Sequence, residues 1–551
     1  MTKRFTNLLL FLLCLVPAVA PAQDATNATS PEFAVLASSS PLIEVRVMFP
    51  VGSMHDPVGK EGLANITANA LLEGGFGPSD AVVTKEMLAE MTSAWGSNAN
   101  PSVSVGKEAT TFAMVIPADV MDTYVADVLT PLFGTPRFDD DEVARLVNEA
   151  TTYLTGALRY TQTEILGLEA IDNYIFAGTP RGHTVTGTVQ GLDAITAADA
   201  RGFYNAHYDL DGMILGVSTE NTAIHDKLSA AFAGVGNASG DAVTPTTPAA
   251  AAPRVVKGRE VIVLKVPDSG ATGVHFAHPL SIDRRSEDFW PLFVANVWLG
   301  THRDSFGQLY KEIREERGYN YGDYSYVEHF PWRPYALFPP FNYPRTENYF
   351  SLWIRPVNSD HAVHLLKAGL YEYQELIAGG LDDAQVAAAK NKAKVLYLNY
   401  AETASRLLAA KVDDLFFDME TGYLEGWLAR MDAVTTAQVN AAIAKYMSTD
   451  DLKILIAAEA DRADEIAQQI RRDEAVFGKQ PADYRMEKVE LEDGSTVWQV
   501  PESRIDTLHR DGAWAHTRIG VDPERVRVIP VEALFETRGF IDESKVGPDA
   551  R

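Results

Sequence analysis

The chain has 551 residues, 46% of them hydrophobic and 22% charged, which excludes a disordered or fibrous protein and provides apolar material for more than one core. Its formal net charge of −27 at pH 7 excludes nucleic acid as a partner, because binding to phosphates requires a basic surface. After the N-terminal segment no stretch reaches about 18 consecutive apolar residues, so we expect no membrane insertion of the mature chain.

The N-terminal segment, residues 1–22, has the pattern of a secretory signal peptide. Two basic residues precede the apolar run Leu8–Val16 and small residues end the segment, so we expect cleavage before Gln23. The single cysteine, Cys14, lies inside this segment, and the mature chain therefore forms no disulfide. A large exported domain without cysteine is ordinary in a bacterial periplasm, so we expect a periplasmic protein of a Gram-negative bacterium.

The segment Gly62–Gly75, GLANITANALLEGG, predicts a helix with an altered metal motif. Asn65, Ala68 and Asn69 stand at the spacing of His, Glu and His in an H-x-x-E-H zinc helix, where two imidazoles on one face bind Zn²⁺ and the glutamate serves as general base. A carboxamide is a neutral, hard oxygen donor and a poor Zn²⁺ ligand, and alanine has no group that deprotonates water. The helix keeps the spacing and lacks the chemistry.

Two later segments of the first half are also candidates for function. The stretch Trp95–Val105 predicts an edge strand, and its alternating residues permit an extended peptide to pair with it. The acidic run Asp139–Glu142 begins a predicted helix over Val143–Ala150, which contains Asn148 and Glu149.

A linker and an internal repeat organise the chain. The stretch Gly236–Pro253 is rich in Ala, Pro, Thr and Gly and lacks apolar periodicity, so it predicts a linker between halves of similar size. Asp-Ala-x-Thr motifs ending at Thr196 and Thr435 lie 239 residues apart, and the predicted strands Met213–Val217 and Leu452–Ala457 keep the same offset. Both threonines are predicted helix N-caps, and we interpret the pattern as a duplication.

The second half contains a cluster of arginine and tyrosine residues in Gly300–Tyr326. Apolar residues at helical spacing predict a helix that stops at Gly318 and is followed by a strand. Arg314 and Tyr321 flank this turn seven residues apart, and Tyr319 is the main rival of Tyr321.

Other elements of the second half predict structure. His275 and His278 fall in a predicted strand, where positions three apart point to opposite faces, so they do not form a metal pair. Long helical runs, Ser359–Ile377 and Asp382–Leu415, follow strands such as Tyr349–Ile354, which is typical of α+β domains. The tail predicts a hairpin over Leu491–Trp498 and a strand at Arg525–Val531, and we expect it to be a packing appendage or a subunit contact.

The stretch Val45–Gly75 resembles the active-site strand and helix of the pitrilysin/insulinase family of inverzincin metallopeptidases. An apolar strand, Gly52-Ser53, an Asp-Pro turn and Gly62-Leu63-Ala64 follow one another in the family's order, and the departure is confined to the ligand positions. The resemblance covers roughly 32–470 and implies an α+β fold of two duplicated domains, each a mainly antiparallel sheet covered by helices.

The resemblance also implies domain boundaries, which are expected as follows: a signal peptide over 1–22, an N-terminal peptidase-like domain with a degenerate zinc site over 32–235, a linker over 236–256, a C-terminal peptidase-like domain with the Arg/Tyr element over 257–470, and an extension over 475–551.

The resemblance further implies roles for single residues. Glu149, or Asn148 beside it, falls near the position of the family's third metal ligand, and a lone glutamate there is expected to be structural. Arg314 and Tyr321 match the family's Arg/Tyr element, which faces the zinc site across a cleft. By this resemblance Arg314 orients the peptide backbone, and Tyr321 donates a hydrogen bond to the carbonyl oxygen as it becomes an oxyanion.

These features predict the zinc-lacking subunit of a periplasmic heterodimeric metallopeptidase, with no cofactor in this chain. Zinc is expected in a partner subunit that carries H-x-x-E-H, and the expected substrates are peptides or small unfolded proteins. The alternative is a non-catalytic peptide-binding or assembly subunit of the same family. A third hypothesis, an autonomous zinc peptidase, requires unconventional ligands.

Overall fold

The structure, a computed structural model, describes residues 30–160, 163–235, 257–331, 344–478, 487–499 and 501–546. The expected signal peptide and the predicted linker, 236–256, lie outside the described residues. Across the described ranges, no helix combines the length and the apolar character that crossing a bilayer requires.

The first half is built on a five-stranded sheet. Its strands are β1 (Glu32–Val35), β2 (Leu42–Phe49), β3 (Ser102–Val105), β4 (Thr110–Pro117) and β5 (Ile214–Val217). They lie in the order β1-β5-β2-β4-β3, with β1 and β5 parallel and the other neighbours antiparallel. The edge strand predicted over Trp95–Val105 is confirmed for Ser102–Val105, because β3 ends the sheet, whereas Ser97–Ala99 form a 3-10 turn.

Helices cover one face of this sheet and enclose its core. The helices of this half are α1 (Leu63–Glu73), α2 (Lys85–Ser93), α3 (Met121–Tyr124), α4 (Thr130–Gly134), α5 (Asp140–Thr152), α6 (Thr163–Ile175), α7 (Val189–Asp193), α8 (Ala197–His207) and α9 (Thr222–Ala231). Of these, α6 packs against the sheet of the second half instead of the first sheet. Alternation in β4 puts Phe112 and Met114 into this core, while Thr111 and Ala113 point to the opposite face.

The second half repeats this architecture. Its helices are α10 (Phe289–Leu299), α11 (Ala362–Gly379), α12 (Asp383–Tyr400), α13 (Ala404–Phe416), α14 (Trp427–Ala433), α15 (Thr436–Tyr446) and α16 (Ala463–Arg472), and α17 (Ile505–His516) follows in the C-terminal extension. Its strands are β6 (Glu260–Val266), β7 (Thr272–Leu280), β8 (Asp323–Tyr326), β9 (Asn348–Val357) and β10 (Lys453–Glu459); the extension adds a hairpin of β11 (Glu487–Glu490) and β12 (Thr496–Gln499), and β13 (Val526–Pro530).

The two sheets confirm the duplication. The second sheet has the order β13-β6-β10-β7-β9-β8, and after β13 it repeats the first sheet strand for strand, including the single parallel pair, here β6 with β10. The predicted N-caps are also confirmed, because the hydroxyls of Thr196 and Thr435 accept the N–H groups of Asp199 and Gln438 at 3.2 and 3.3 Å. The 239-residue offset therefore corresponds to equivalent elements of two similar domains.

The predicted single helical run Asp382–Leu415 is wrong, because two helices, α12 and α13, occupy it. The chain breaks after Tyr400, and the Thr403 hydroxyl accepts the N–H of Arg406 at 3.2 Å, which caps the new helix. The break changes the direction of the chain, so that α13 packs on the first sheet. A Cβ on Gly216 of β5 would lie 2.6 Å from Val412 Cγ2, so only glycine fits this approach.

The C-terminal extension joins the two halves. We call Val526–Lys545 the strap: its strand β13 pairs with β6 of the second sheet, and its apolar residues Phe535 and Phe540 are buried in the first-half core. Arg159 of the first half forms a buried ion pair with Glu536 at 2.7 Å. The tail is thus packed into both domains, in agreement with the expected packing role.

Candidate functional site

The buried carboxylate of Asp56 fixes the start of helix α1. Asp56 accepts the N–H groups of Gly62 and Ala64, each at 2.7 Å, and thereby satisfies the free end of the helix. Gly62 has φ of 112°, and a Cβ there would lie 2.8 Å from the Thr186 carbonyl oxygen, so this turn requires glycine. The Asp-Pro and Gly elements of the sequence thus set the position of the altered motif.

The three altered motif positions form a closed arrangement. Asn69 Nδ2 donates to the Asn65 carbonyl oxygen at 2.8 Å and to Asn65 Oδ1 at 3.0 Å. Ala68 is fully buried against the first-half core. One hydrogen bond therefore joins the two carboxamides, and the side chain at the general-base position is buried in the core.

The predicted third position lies in a surface ion-pair network on α5. Glu149 bonds Arg145 at 2.6 Å, and Arg145 also bonds Glu142 on α5 and Glu73 on α1. Burial would raise the pKa of Glu73, but hydrogen bonds from Lys85 and Arg145 outweigh it and hold that pKa below its ordinary value. Arg145 therefore links α5 to α1, and Glu149 pairs with Arg145 within α5.

These residues do not fit a zinc ion. In the part of the chain that the structure describes, no group of three His, Cys, Asp or Glu side chains is arranged to hold a metal. The motif positions offer two amides and a methyl group, and the nearby carboxylates bond to arginine and lysine. The donor chemistry that zinc requires is absent at this helix.

The Arg/Tyr element lies at the turn before β8. The guanidinium carbon of Arg314 lies 5.3 Å from the Tyr310 ring centre, and the Tyr321 side chain is 80% exposed. Gly318 has a positive φ of 66° and ends the helical segment. In contrast, Tyr319 packs against His364 at 6.0 Å between ring centres. Of the two rival tyrosines, Tyr321 is the more exposed.

Buried polar contacts hold the Tyr321 turn in place. Asn320 Nδ2 donates to Asp323 Oδ1 at 2.7 Å, and Asn320 Oδ1 accepts the N–H of Gly322 at 3.0 Å. Burial raises the pKa of Asp323 to about 8, although Asn320 and Arg355 lower it. Tyr321 is therefore an exposed side chain on a fixed main chain.

The structure does not bring the two candidate regions together within this chain. Among the described residues, no hydrogen bond, ion pair or ring contact joins Arg314 or Tyr321 to α1 or α5. In the described ranges the Arg/Tyr element and the altered motif helix are therefore two separate regions.

A cavity that sequence reasoning missed lies between the halves. It has a volume of about 520 Å³. Its floor is the outward face of the first sheet near β3, and its opposite wall is α13, with Asp413, Phe416 and Phe417. The two walls come from segments 300 residues apart in sequence, so no local pattern shows their proximity.

Buried ion pairs join the halves beside this cavity. Asp172 of α6 lies 2.8 Å from Arg345 Nη1 and 3.7 Å from Lys107 Nζ. Lys107 also donates to the carbonyl oxygens of Arg181 and His183. Burial would raise the pKa of Asp172, but Arg345 and Lys107 hold it well below its ordinary value. These pairs fix the walls of the cavity relative to each other.

The comparisons with known proteins agree with this geometry. A family model described as the peptidase M16 inactive domain matches residues 194–393. An uncharacterized zinc protease of Streptomyces coelicolor is 30% identical over 158 residues, which span 28% of this chain and 34% of that relative. The match therefore covers about a third of the curated relative's length.

Similar solved structures span most of the described fold. A peptidase M16 inactive domain from Pseudomonas fluorescens has a TM-score of 0.64 at 20% identity, over 78% of this chain and 97% of that chain. A protease from Helicobacter pylori has a TM-score of 0.65 at 15% identity, with the same coverage of 78% and 97%. A chain of complex III from Candida albicans has a TM-score of 0.57 at 12% identity, over 79% and 97%. At these identities the likeness shows the fold.

Proposed function

The chain belongs to the M16 family of pitrilysin/insulinase-type peptidases as a member without a zinc site, and from this premise we propose that it is one subunit of a two-subunit metallopeptidase in the periplasm. One observation carries the proposal: the ligand positions of α1 are closed by Asn65 and Asn69, while Tyr321 stays exposed on a fixed turn. A chain that keeps one half of a reaction site needs a second chain for the other half.

In this proposal the Arg/Tyr element acts on a substrate bound between the subunits. The zinc-bearing partner supplies metal chemistry through its H-x-x-E-H helix. Arg314 orients the peptide by hydrogen bonds to its main chain, and the Tyr321 hydroxyl donates to the carbonyl oxygen as negative charge develops there. A donor of this kind is worth about 10²–10³ in rate.

Substrate binding follows from the free edge of β3. Within the described ranges, no strand pairs with its outer side, so its main-chain groups are available to an extended peptide. The exposed side chains of β3 are the small serines Ser102 and Ser104, which leave room for such a strand. The proposed substrate class is accordingly an extended peptide or small unfolded protein, whose main chain is free to pair along a sheet edge.

The test is reconstitution with a family subunit that carries an intact H-x-x-E-H motif, taken from the neighbouring reading frame if that frame encodes one. The two chains should copurify, hydrolyse an unfolded reporter peptide only together, and contain zinc in the partner. One tightly bound zinc per isolated chain of this protein would refute the division of roles. So would a partner whose turnover does not depend on this chain.

A second candidate function is a peptide-binding or assembly subunit without a role in hydrolysis. The observation that favours it is that the β3 edge and the cavity are complete within this chain. The two functions differ in their dependence on Tyr321: binding without catalysis is unaffected by the loss of its hydroxyl, whereas a contribution to hydrolysis is not.

A further inference from the structure

Helix α17 of the C-terminal extension is fixed to α11 of the second half by a buried carboxylate. Arg510 Nη1 lies 2.9 Å from Glu372 Oε1, and Trp514 Nε1 donates to the same oxygen at 3.0 Å. Glu372 is 3% exposed, and Trp514 is fully buried. Because α11 itself packs on β7 and β9, these bonds give α17 a defined position relative to the second sheet.

Arg317 joins α17 to the segment that carries Arg314. Its Nε donates to the Asp511 carboxylate, and its Nη2 donates to the Thr507 carbonyl oxygen at 3.0 Å. Its guanidinium carbon also lies 4.1 Å from the centre of the Trp514 ring, and its side chain is fully buried. A guanidinium is planar and presents its donors in a rigid fork, so these contacts fix both the position and the orientation of the group.

The same guanidinium also bonds to the helical segment that precedes it. Arg317 Nη1 donates to the Glu312 carbonyl oxygen at 2.6 Å and to the Glu312 carboxylate at 3.0 Å. Arg314 lies on the same turn, because its carbonyl oxygen accepts the N–H of Gly318 at 2.8 Å. Tyr321 follows three residues after this glycine. Arg317 therefore connects the helix of the extension to the turn that lies between Arg314 and Tyr321.

We infer that α17 positions the Arg/Tyr element, with Asp511 as a positioning residue that acts through Arg317. Asp511 is 4% exposed, so its carboxylate acts on the turn and not on a substrate. A fixed turn matters for a reaction because a displacement of about 1 Å at a reacting group can cost about 10² in rate. The catalytic part of this inference rests on the proposed function, whereas the holding of the turn by α17 does not.

The first experiment measures hydrogen exchange in the isolated full chain and needs no partner subunit. Asp511→Asn removes the charge beside Arg317 and keeps the shape of the side chain. We expect main-chain amides of 313–321 to exchange about ten-fold faster in this variant, because their segment opens more often, while exchange in α10 stays unchanged. The matched control is Asp506→Asn, because Asp506 is exposed on the same helix, and it should leave exchange in 313–321 unchanged.

A second variant covers the case in which Asp511→Asn does not fold. Arg317→Lys keeps a positive charge beside Asp511 and Glu312, but an ammonium group lacks the planar fork that reaches both carboxylates and the Thr507 carbonyl oxygen. This variant should speed up exchange in 313–321 by about three-fold or more.

The second experiment separates positioning from general stability in the reconstituted two-subunit complex. We expect Asp511→Asn to lower kcat by about ten-fold, and Asp506→Asn to leave it unchanged. When Asp511→Asn is combined with Tyr321→Phe, the loss should be about three-fold or more below the product of the two separate losses, because both changes act on the same hydroxyl. A role limited to general stability predicts the full product.

Two results would overturn the inference: unchanged exchange in 313–321 in a folded variant, or losses in kcat that multiply fully. A Tyr321→Phe complex with normal turnover would instead refute the proposed oxyanion role, and the exchange measurement would then decide whether α17 holds the turn. The same measurement decides that question if reconstitution fails, since it uses this chain alone.

Discussion

The two halves of the molecule have the same strand order, but equivalent elements are partly exposed in the first half and buried in the second. In the first half, α1 connects β2 to β3, exposes parts of Asn65 and Asn69, and leads to an edge strand with exposed serines. In the second half, α10 connects β7 to β8, is buried along nearly its whole length, and leads to a fully buried β8. The turn before β8 exposes Tyr321.

This difference shows that equivalent elements of a duplicated fold differ in exposure. In the second half, α10 is the equivalent of α1 and consists of core residues. A hydrogen bond joins α10 to β8, in which Asn296 Nδ2 donates to the Ser325 carbonyl oxygen at 3.0 Å. The first half keeps an open sheet edge beside a helix whose ligand positions have closed. The altered motif helix therefore lies beside a sheet edge that no described strand covers.

The largest effect on stability is expected when a glutamate is placed at the general-base position, Ala68. Because Ala68 is fully buried, Ala68→Glu would place a carboxylate without a partner in the first-half core and should lower the free energy of unfolding by about 3–5 kcal/mol. Chemical denaturation measures this change. Ala89→Glu, on an exposed face of α2, is the matched control and should change stability by less than about 0.5 kcal/mol. A stable Ala68→Glu variant would show that the motif position is still open.

The second prediction concerns the exposed side chain of Tyr321. In the reconstituted complex, Tyr321→Phe should lower kcat by about 10²–10³ and leave the stability of this chain unchanged, because the hydroxyl has no partner in the described parts of the chain. Tyr153→Phe is the control, since Tyr153 is 43% exposed and lies in the first half away from this element. An unchanged rate for Tyr321→Phe would refute the oxyanion role and favour the assembly function.

The features of this fold that depend on neighbouring residues were predicted from the sequence, whereas contacts between distant segments were missed. The caps at Thr196 and Thr435 and the 239-residue offset depend on neighbouring residues, so the pattern alone identified them. The break at Thr403 was missed because a capping threonine inside a helical pattern resembles an ordinary helix residue. The burial of Phe535 in the first-half core and the packing of α13 on the first sheet depend on contacts between segments hundreds of residues apart.

A smaller effect is expected where the strap supports the site helix. Arg538 lies 3.0 Å from the Glu61 carboxylate and donates to the Asp56 carbonyl oxygen at 2.7 Å, so the strap holds the turn that starts α1. Arg538→Ala should cost about 2 kcal/mol of unfolding free energy and increase hydrogen exchange at the start of α1. The control is Arg527→Ala in the same strap, whose more exposed pair with Glu543 should be worth less than about 1 kcal/mol. Equal costs would show that the strap does not act on α1 specifically.

The smallest effect is expected at the ion-pair network between α1 and α5. Because Arg145 is partly exposed and solvent screens its pairs, Arg145→Ala should cost about 0.5–1 kcal/mol at neutral pH. The pKa of Glu73 is held below its ordinary value of 4.5, so its contribution is complete above pH 4.5 and is lost as the pH falls through the lower, folded-state pKa. The difference between Arg145→Ala and the unaltered chain should therefore shrink as denaturation is measured from pH 7 to below pH 4.5. A difference that stays constant over this range would mean that Arg145 acts through packing, and the closed first-half site would then owe its stability to shape rather than charge.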